Sequence, residues 1–167
     1  MTDRIKGYSS LQIALHWIVV VLVSFQFLAH DGIETAWRAL RRDEPLPVDA
    51  GVLTYMHIAT GILILVVMLT RIYLRVTRGA PRPPADEPWP LKILAEAVHV
   101  AIYGLLLLLP VSGMVAWFFV VEGAANAHEI MTNLLLAALV LHVSGALFQH
   151  VVMRSDVVMR MLRPQRD

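Results

Sequence analysis

The stretch AHEIMTNLLLAALVLHVSG, Ala127–Gly145, decides the reading of this 167-residue chain. With its continuation to Met153 it exceeds the ~20 apolar residues that carry a helix across a bilayer. His128 and His142 stand inside it, fourteen residues apart. A helix turns about 100° and rises about 1.5 Å per residue. That spacing therefore returns to within roughly 40° of the same face after a climb of about 21 Å. The two imidazoles share one face of one membrane helix, one near each leaflet. Histidine at membrane depth is costly and marks function more often than packing.

Three further stretches are long and apolar enough to span: Leu11–Ala29, Val52–Leu74 and Ile93–Val121. The third is the least uniform, with Glu96 and His99 near its start and Pro110 inside, where a kink is expected. Residues of hydrophobic type make up 57% of the chain, more than a soluble domain of this size can use. The connections are short. His30–Gly51 reads as an outside loop with Trp37 and an acidic, proline-bearing patch (Asp43, Glu44, Pro45, Pro47). Arg78–Pro90 carries Pro81, Pro83, Pro84, Pro88 and Pro90, so it is not helical throughout. Glu122–Asn126 is so short that it forces the last two spans into an antiparallel hairpin. The expected fold is all-α: an up-down-up-down four-helix bundle integral to the membrane, one domain over residues 1–167 with spans at about 11–29, 52–74, 93–121 and 127–153.

Charge gives the orientation. In such a bundle only Arg38, Arg41 and Arg42 of the fourteen basic residues fall on one side. The other eleven, among them Arg71, Arg75, Arg78, Lys92, Arg154 and Arg160, share the opposite side. The positive-inside rule then places both termini in the cytoplasm of a plasma membrane. The first span lacks a small-residue cleavage site and reads as retained. There is no cysteine, which excludes iron–sulfur clusters, c-type haem attachment and thiolate ligands. Nothing calls for a nucleic-acid partner.

Topology then sorts the histidines by depth. His16 and His142 lie near the inner leaflet, His57 and His128 near the outer one. The expected pairs are His57–His128 and His16–His142, each bridging two helices as bis-histidine haem ligation requires. A single membrane histidine often does no more than hydrogen-bond a neighbouring helix. Four falling into two depth-matched pairs point to ligation. His99 has no partner left at its depth and reads as a quinone contact or interhelical glue. His30 and His150 read as interfacial. Gly61, one turn from His57, and Gly145, three residues from His142, suit the close approach of a planar group. Arg71, one turn from Arg75, suits haem propionates, with snorkelling to headgroups as its plain alternative. Arg38, Arg41 and Arg42 suit an anionic substrate, diluted by Asp43 and Glu44.

The segments LQIALHW, TYMHIATGILILVVMLTRIYLR, AVHVAIYGLLLLLPVSGM and AHEIMTNLLLAALVLHVSG resemble the four spans of the bacterial cytochrome b561 family, from about Ile5 to Pro164. That resemblance implies a four-helix, dihaem electron carrier of the bacterial inner membrane. Its ligands would be His16 of LxxxHW, His57 of MHxxxG, His128 of the HE pair and His142 of the LH pair. Leu109–Gly113 (LPxxG) and the Arg71–Arg75 pair match as well. One member type passes electrons from superoxide outside to ubiquinone. This chain departs from it in its much shorter connection between the last two spans. Cytochrome subunits that act with a soluble redox partner are also similar.

The sequence thus supports a protein with two haem b groups, taking electrons from a periplasmic donor (superoxide or a redox protein) and giving them to ubiquinone. A subunit that docks a periplasmic redox protein or dehydrogenase, with no substrate of its own, is the rival. A haem-free histidine-lined transporter would need intramembrane acids along its path, and the first, second and fourth spans have essentially none.

Overall fold

A computed structural model describes residues 7–46, 48–81 and 87–164, and all regular structure among them is helical. Arg82, Pro83 and Pro84 of the proline-rich connection lie outside the described residues. Helix α1, Ser10–Leu28, starts with a capping box. Gln12 N–H donates to Ser9 Oγ at 3.3 Å and Ser9 N–H donates to Gln12 Oε1 at 3.0 Å, so two donors at the helix start are satisfied without water.

Helix α2, His30–Arg41, is a finding against expectation, because its residues read as loop. It buries Gly32, Ala36 and Ala39, a helical stripe of small residues, against the next helix. A Cβ on Gly32 would meet Leu53 Cβ at 2.4 Å, so glycine is what lets the two backbones approach. Thr54, fully buried, donates to Ala50 O at 2.7 Å and lies 3.3 Å from Gly32 O.

Helix α3, Val48–Arg78, outruns its expected span at both ends. It stops where Gly79 takes φ 77° and donates its N–H to Arg75 O at 3.1 Å, a glycine-terminated helix end. Gln12 Nε2 donates to Gly79 O at 3.1 Å and so ties the start of α1 to the end of α3. Helix α4, Trp89–Phe119, begins behind Pro88, with Pro90 in its first turn, and runs on through Pro110. Val120 then adopts φ 53°, a left-handed conformation that a β-branched residue enters only at a cost of about 1–2 kcal/mol. The reversal is correspondingly tight, and helix α5, Glu122–Val151, starts two residues later. A short helix α6, Val157–Arg160, follows and is tied to α1 by Trp17 Nε1 donating to Met161 O at 2.9 Å. Buried Gln149 donates to buried Glu87, joining the end of α5 to the connection before α4.

The helices α1, α3, α4 and α5 are long and apolar enough to cross a membrane, and no more than 22% of any span's apolar window lies inside the protein. A surface this apolar needs lipid as its solvent. The chain is a membrane protein. Its core runs along the bundle axis through Val19, Val23, Ile64, Met68, Ile102, Leu106, Leu135 and Ala138. Helix α3 packs against α1, α2 and α4, and α4 packs most closely on α5. Among the described residues no extensive backbone contact joins α5 to α1 or α3. Helix α5 faces those two across a cleft, and that cleft positions the site.

Candidate functional site: two tiers of paired histidines

Imidazoles reach across the cleft at two levels. Toward the end that carries α2, His57 of α3 faces His128 of α5 with ring centres 6.4 Å apart and planes inclined at 57°. Toward the end that carries the start of α1, helix α6 and most of the described arginines, called the basic end below, His16 of α1 faces His142 of α5, also at 6.4 Å, inclined at 59°. Two metal–imidazole bonds of about 2 Å each, with each ring centre roughly one ångström behind its nitrogen, put two axial imidazoles about 6 Å apart. Both pairs have that spacing. Direct hydrogen bonding between imidazoles would draw the rings closer than this, since N–H···N contacts run about 3 Å.

The atoms behind the rings differ between the tiers. His128 Nδ1 lies 3.0 Å from Leu109 O and 3.1 Å from Ser112 Oγ. A carbonyl only accepts, so the proton sits on Nδ1 and Nε2 keeps its lone pair for a metal. Ser112 Oγ donates to the same carbonyl at 2.9 Å. Gly113 lies under the ring, where a Cβ would stand 3.1 Å from His128 Cε1 and 3.3 Å from Nδ1. The backbone of α4 at Leu109–Gly113 is thus a cradle shaped for this imidazole. His57 Nδ1, in contrast, is buried without a partner. The chemistry of the donor set fits a haem at each tier: two neutral nitrogen ligands from opposite walls, with no acid cluster beside them. Among the described residues no group of three metal-binding side chains suited to a bare ion occurs.

At the basic end a cation stands behind the ligand. Arg71 donates to Gln12 O at 3.3 Å and to the Tyr103 hydroxyl at 3.4 Å, and its Nη2 is 3.5 Å from His16 Nδ1. The guanidinium carbons of Arg71 and Arg75 are each 6.0 Å from the centre of the Tyr103 ring. Tyr8, just before α1, joins this group; burial pushes its hydroxyl above the usual value of 10.0, against the opposing pull of Arg75. Among the described residues no carboxylate pairs with Arg71 or Arg75; the ion pairs are Arg38–Glu34, Arg41–Glu122 and Arg160–Asp156. A half-buried cation held only by neutral acceptors is suited to receive a carboxylate from a bound group.

The remaining expected residues fall as follows. His99 is exposed on α4, donates Nδ1–H to Ala95 O at 2.6 Å and sets its ring edge-on to His142, centres 5.0 Å apart. It is therefore a neighbour of the basic-end pair across the contact between α4 and α5. Gly61 has Gln26 Nε2 as its neighbour, 3.5 Å from where a Cβ would stand, while a Cβ on Gly145 would meet nothing within 4 Å. His30 and His150 are exposed at helix ends. Sequence reasoning missed Gln26, Tyr103 and the roles of Ser112 and Gly113 in the His128 cradle. Gln26 carried an available signal, an amide deep in a membrane span.

Comparison with known proteins bears on this geometry. The family model described as prokaryotic cytochrome b561 matches residues 7–164. The chain is 34% identical to cytochrome b562 of Cereibacter sphaeroides, over 95% of this chain and 97% of that protein. It is 30% identical to a probable superoxide oxidase, CybB, of Yersinia pestis, over 96% of this chain and 98% of that protein. It is 26% identical to cytochrome b561 homolog 1 of Escherichia coli, over 95% and 98%.

Proposed function

The chain belongs to the prokaryotic cytochrome b561 family of membrane electron-transfer proteins, and on that premise we propose that it holds two haem b groups and transfers electrons between a periplasmic donor and ubiquinone. The observation that carries the reading is the repeated 6.4 Å spacing of His57–His128 and His16–His142. Bound haem supplies reversible one-electron chemistry at a potential set by its ligands and surroundings. The protein's own residues do the rest. His57 and His128 hold one group, His16 and His142 the other. Leu109 O fixes the His128 tautomer, and Arg71, with Arg75 and Tyr103 beside it, receives a propionate. Gly61, one turn from His57, lies against the Gln26 amide and leaves room for it. The apolar shell of Val19, Ile64, Met68 and Leu135 excludes water from the cleft.

The charge distribution supports an orientation with the basic end and both termini toward the cytoplasm and α2 toward the periplasm. Quinone is drawn from the bilayer at the basic end, where His99 is exposed beside His142. His99→Ala is expected to slow quinone reduction while both haems stay in place.

Superoxide is the specific donor proposed, on the strength of the relative named a probable superoxide oxidase and the cationic Arg38 and Arg42 at the α2 end. Stopped-flow mixing of the oxidised protein with superoxide tests it. A second-order rate well above ~10⁷ M⁻¹s⁻¹ is expected, and a rate far below that excludes tuning for this substrate. One observation favours the second reading, a cytochrome subunit that docks a redox protein. Arg38 stands 4.0 Å from Glu34 and Arg41 3.0 Å from Glu122, so the α2 cations are partly neutralised. Co-purification of a redox protein, with superoxide unreactive, is the outcome that supports it.

A further inference from the structure

Polar atoms buried without a partner are few in any well-packed protein, and each asks for an explanation. Two of them here are complementary. His57 Nδ1 and Gln26 Oε1 are both buried and unpaired. The amide oxygen can only accept, and the imidazole Nδ1 donates whenever Nε2 is the ligating nitrogen. They belong to residues already joined through the His57 backbone. Gln26 of α1 donates from Nε2 to His57 O at 3.0 Å and to Thr60 Oγ1 at 2.8 Å, which clamps its amide against the turn of α3 that carries His57. Thr60 is itself saturated by Met56 O at 2.6 Å, so the clamp is rigid. The interhelical bonds use only the Nε2 end of the amide, and an unsatisfied amide oxygen in a membrane interior is costly.

We propose that Gln26 is the positioning residue of His57: when His57 ligates through Nε2, its ring turns Nδ1–H onto Gln26 Oε1, and this bond commits Nε2 to the cleft that His57 shares with His128. This rests on the reading of His57 as a haem ligand. An acceptor on Nδ1–H makes an imidazole a stronger electron donor and favours the oxidised metal. Gln26 does for His57 what Leu109 O does for His128, but with a side chain that substitution can remove.

The test uses the purified holoprotein in detergent, with haem content, a redox titration and low-spin EPR resonances as readouts. Gln26→Met keeps length and lipid compatibility and removes the acceptor. It should retain two haems per chain, raise the potential of the centre held by His57 and His128, shift that centre's EPR g-values and leave the other centre unmoved. Gln26→Glu keeps an acceptor oxygen and should place the same potential at or below the unsubstituted value. A structural role alone would move both variants in one direction. No upward shift in Gln26→Met, or upward shifts in both, overturns the proposal. If Gln26→Glu does not accumulate, the Gln26→Met shift decides alone, upward for the proposal and unchanged or downward against it. Fewer than two haems in the unsubstituted protein would instead overturn the haem-ligand reading on which this depends.

Discussion

Toward α2, His128 gives its Nδ1 proton to the neutral Leu109 carbonyl and His57 stands beside the neutral amide of Gln26; at the basic end, His16 has the Arg71 guanidinium 3.5 Å from its Nδ1 and His142 has His99 edge-on against it. The ring spacing is the same in both tiers. The surroundings are not. One pair is held by dipoles and a glycine-floored cradle, the other lies beside a fixed positive charge and an exposed imidazole. If these pairs are ligands as proposed, equal ligands in unequal fields separate two jobs: the spacing decides what is bound, and the second layer decides how willingly each centre takes an electron. Inside a low-dielectric bundle a fixed cation biases negative charge toward itself. On the proposed reading, that bias favours electron flow from the α2 end to the basic end.

The largest expected effect breaks the comparison outright. His57→Ala or His128→Ala should remove the α2-end haem and leave the other, halving haem per chain; His16→Ala or His142→Ala should do the converse. Haem-to-protein ratio reads both. Gly113→Ala comes next, because its new Cβ would press on His128 at 3.1 Å. Roughly tenfold weaker retention of the α2-end haem is expected, in the range seen when supports behind metal ligands are disturbed. Haem loss to apomyoglobin measures it, and the basic-end haem should be lost no faster than before.

Arg71→Gln sharpens the comparison instead of breaking it. With the cation gone, the basic-end centre should become harder to reduce by an amount on the order of 1–3 kcal/mol per electron, with the α2-end centre unmoved. A redox titration separates the two, and Arg71→Lys should fall between. Ser112→Ala is the smallest change. Leu109 O still takes the His128 proton, so the α2-end potential should move by less than about 1 kcal/mol per electron.

The four spans were legible because a bilayer demands long apolar runs, and Leu11–Ala29 and Val52–Leu74 can be little else. Their ends were not. Polar residues such as Glu122 and Asn126 continue α5 backward into a region that hydropathy gives to the turn. Helix α2 escaped for another reason: its buried face is Gly32, Ala36 and Ala39, too small to register as an apolar stripe, and it is seated by the Gly32–Leu53 approach. At the site, depth alone put the same histidines opposite one another that the structure brings to 6.4 Å. What stands behind them was not readable. Gln26, Ser112, Gly113 and Tyr103 matter through which helix faces which, and a single sequence carries no register between neighbouring helices. His99 shows the same limit: its depth was clear, and its contact with His142 depended on the rotation of α4 against α5.

The most direct test of the central claim is the number of haems held by the protein purified in detergent, read from the haem-to-protein ratio and the dithionite-reduced spectrum. Two b-type haems per chain is the expected result. One haem would contradict the pairing at one tier, and none would contradict the paired-histidine account at both.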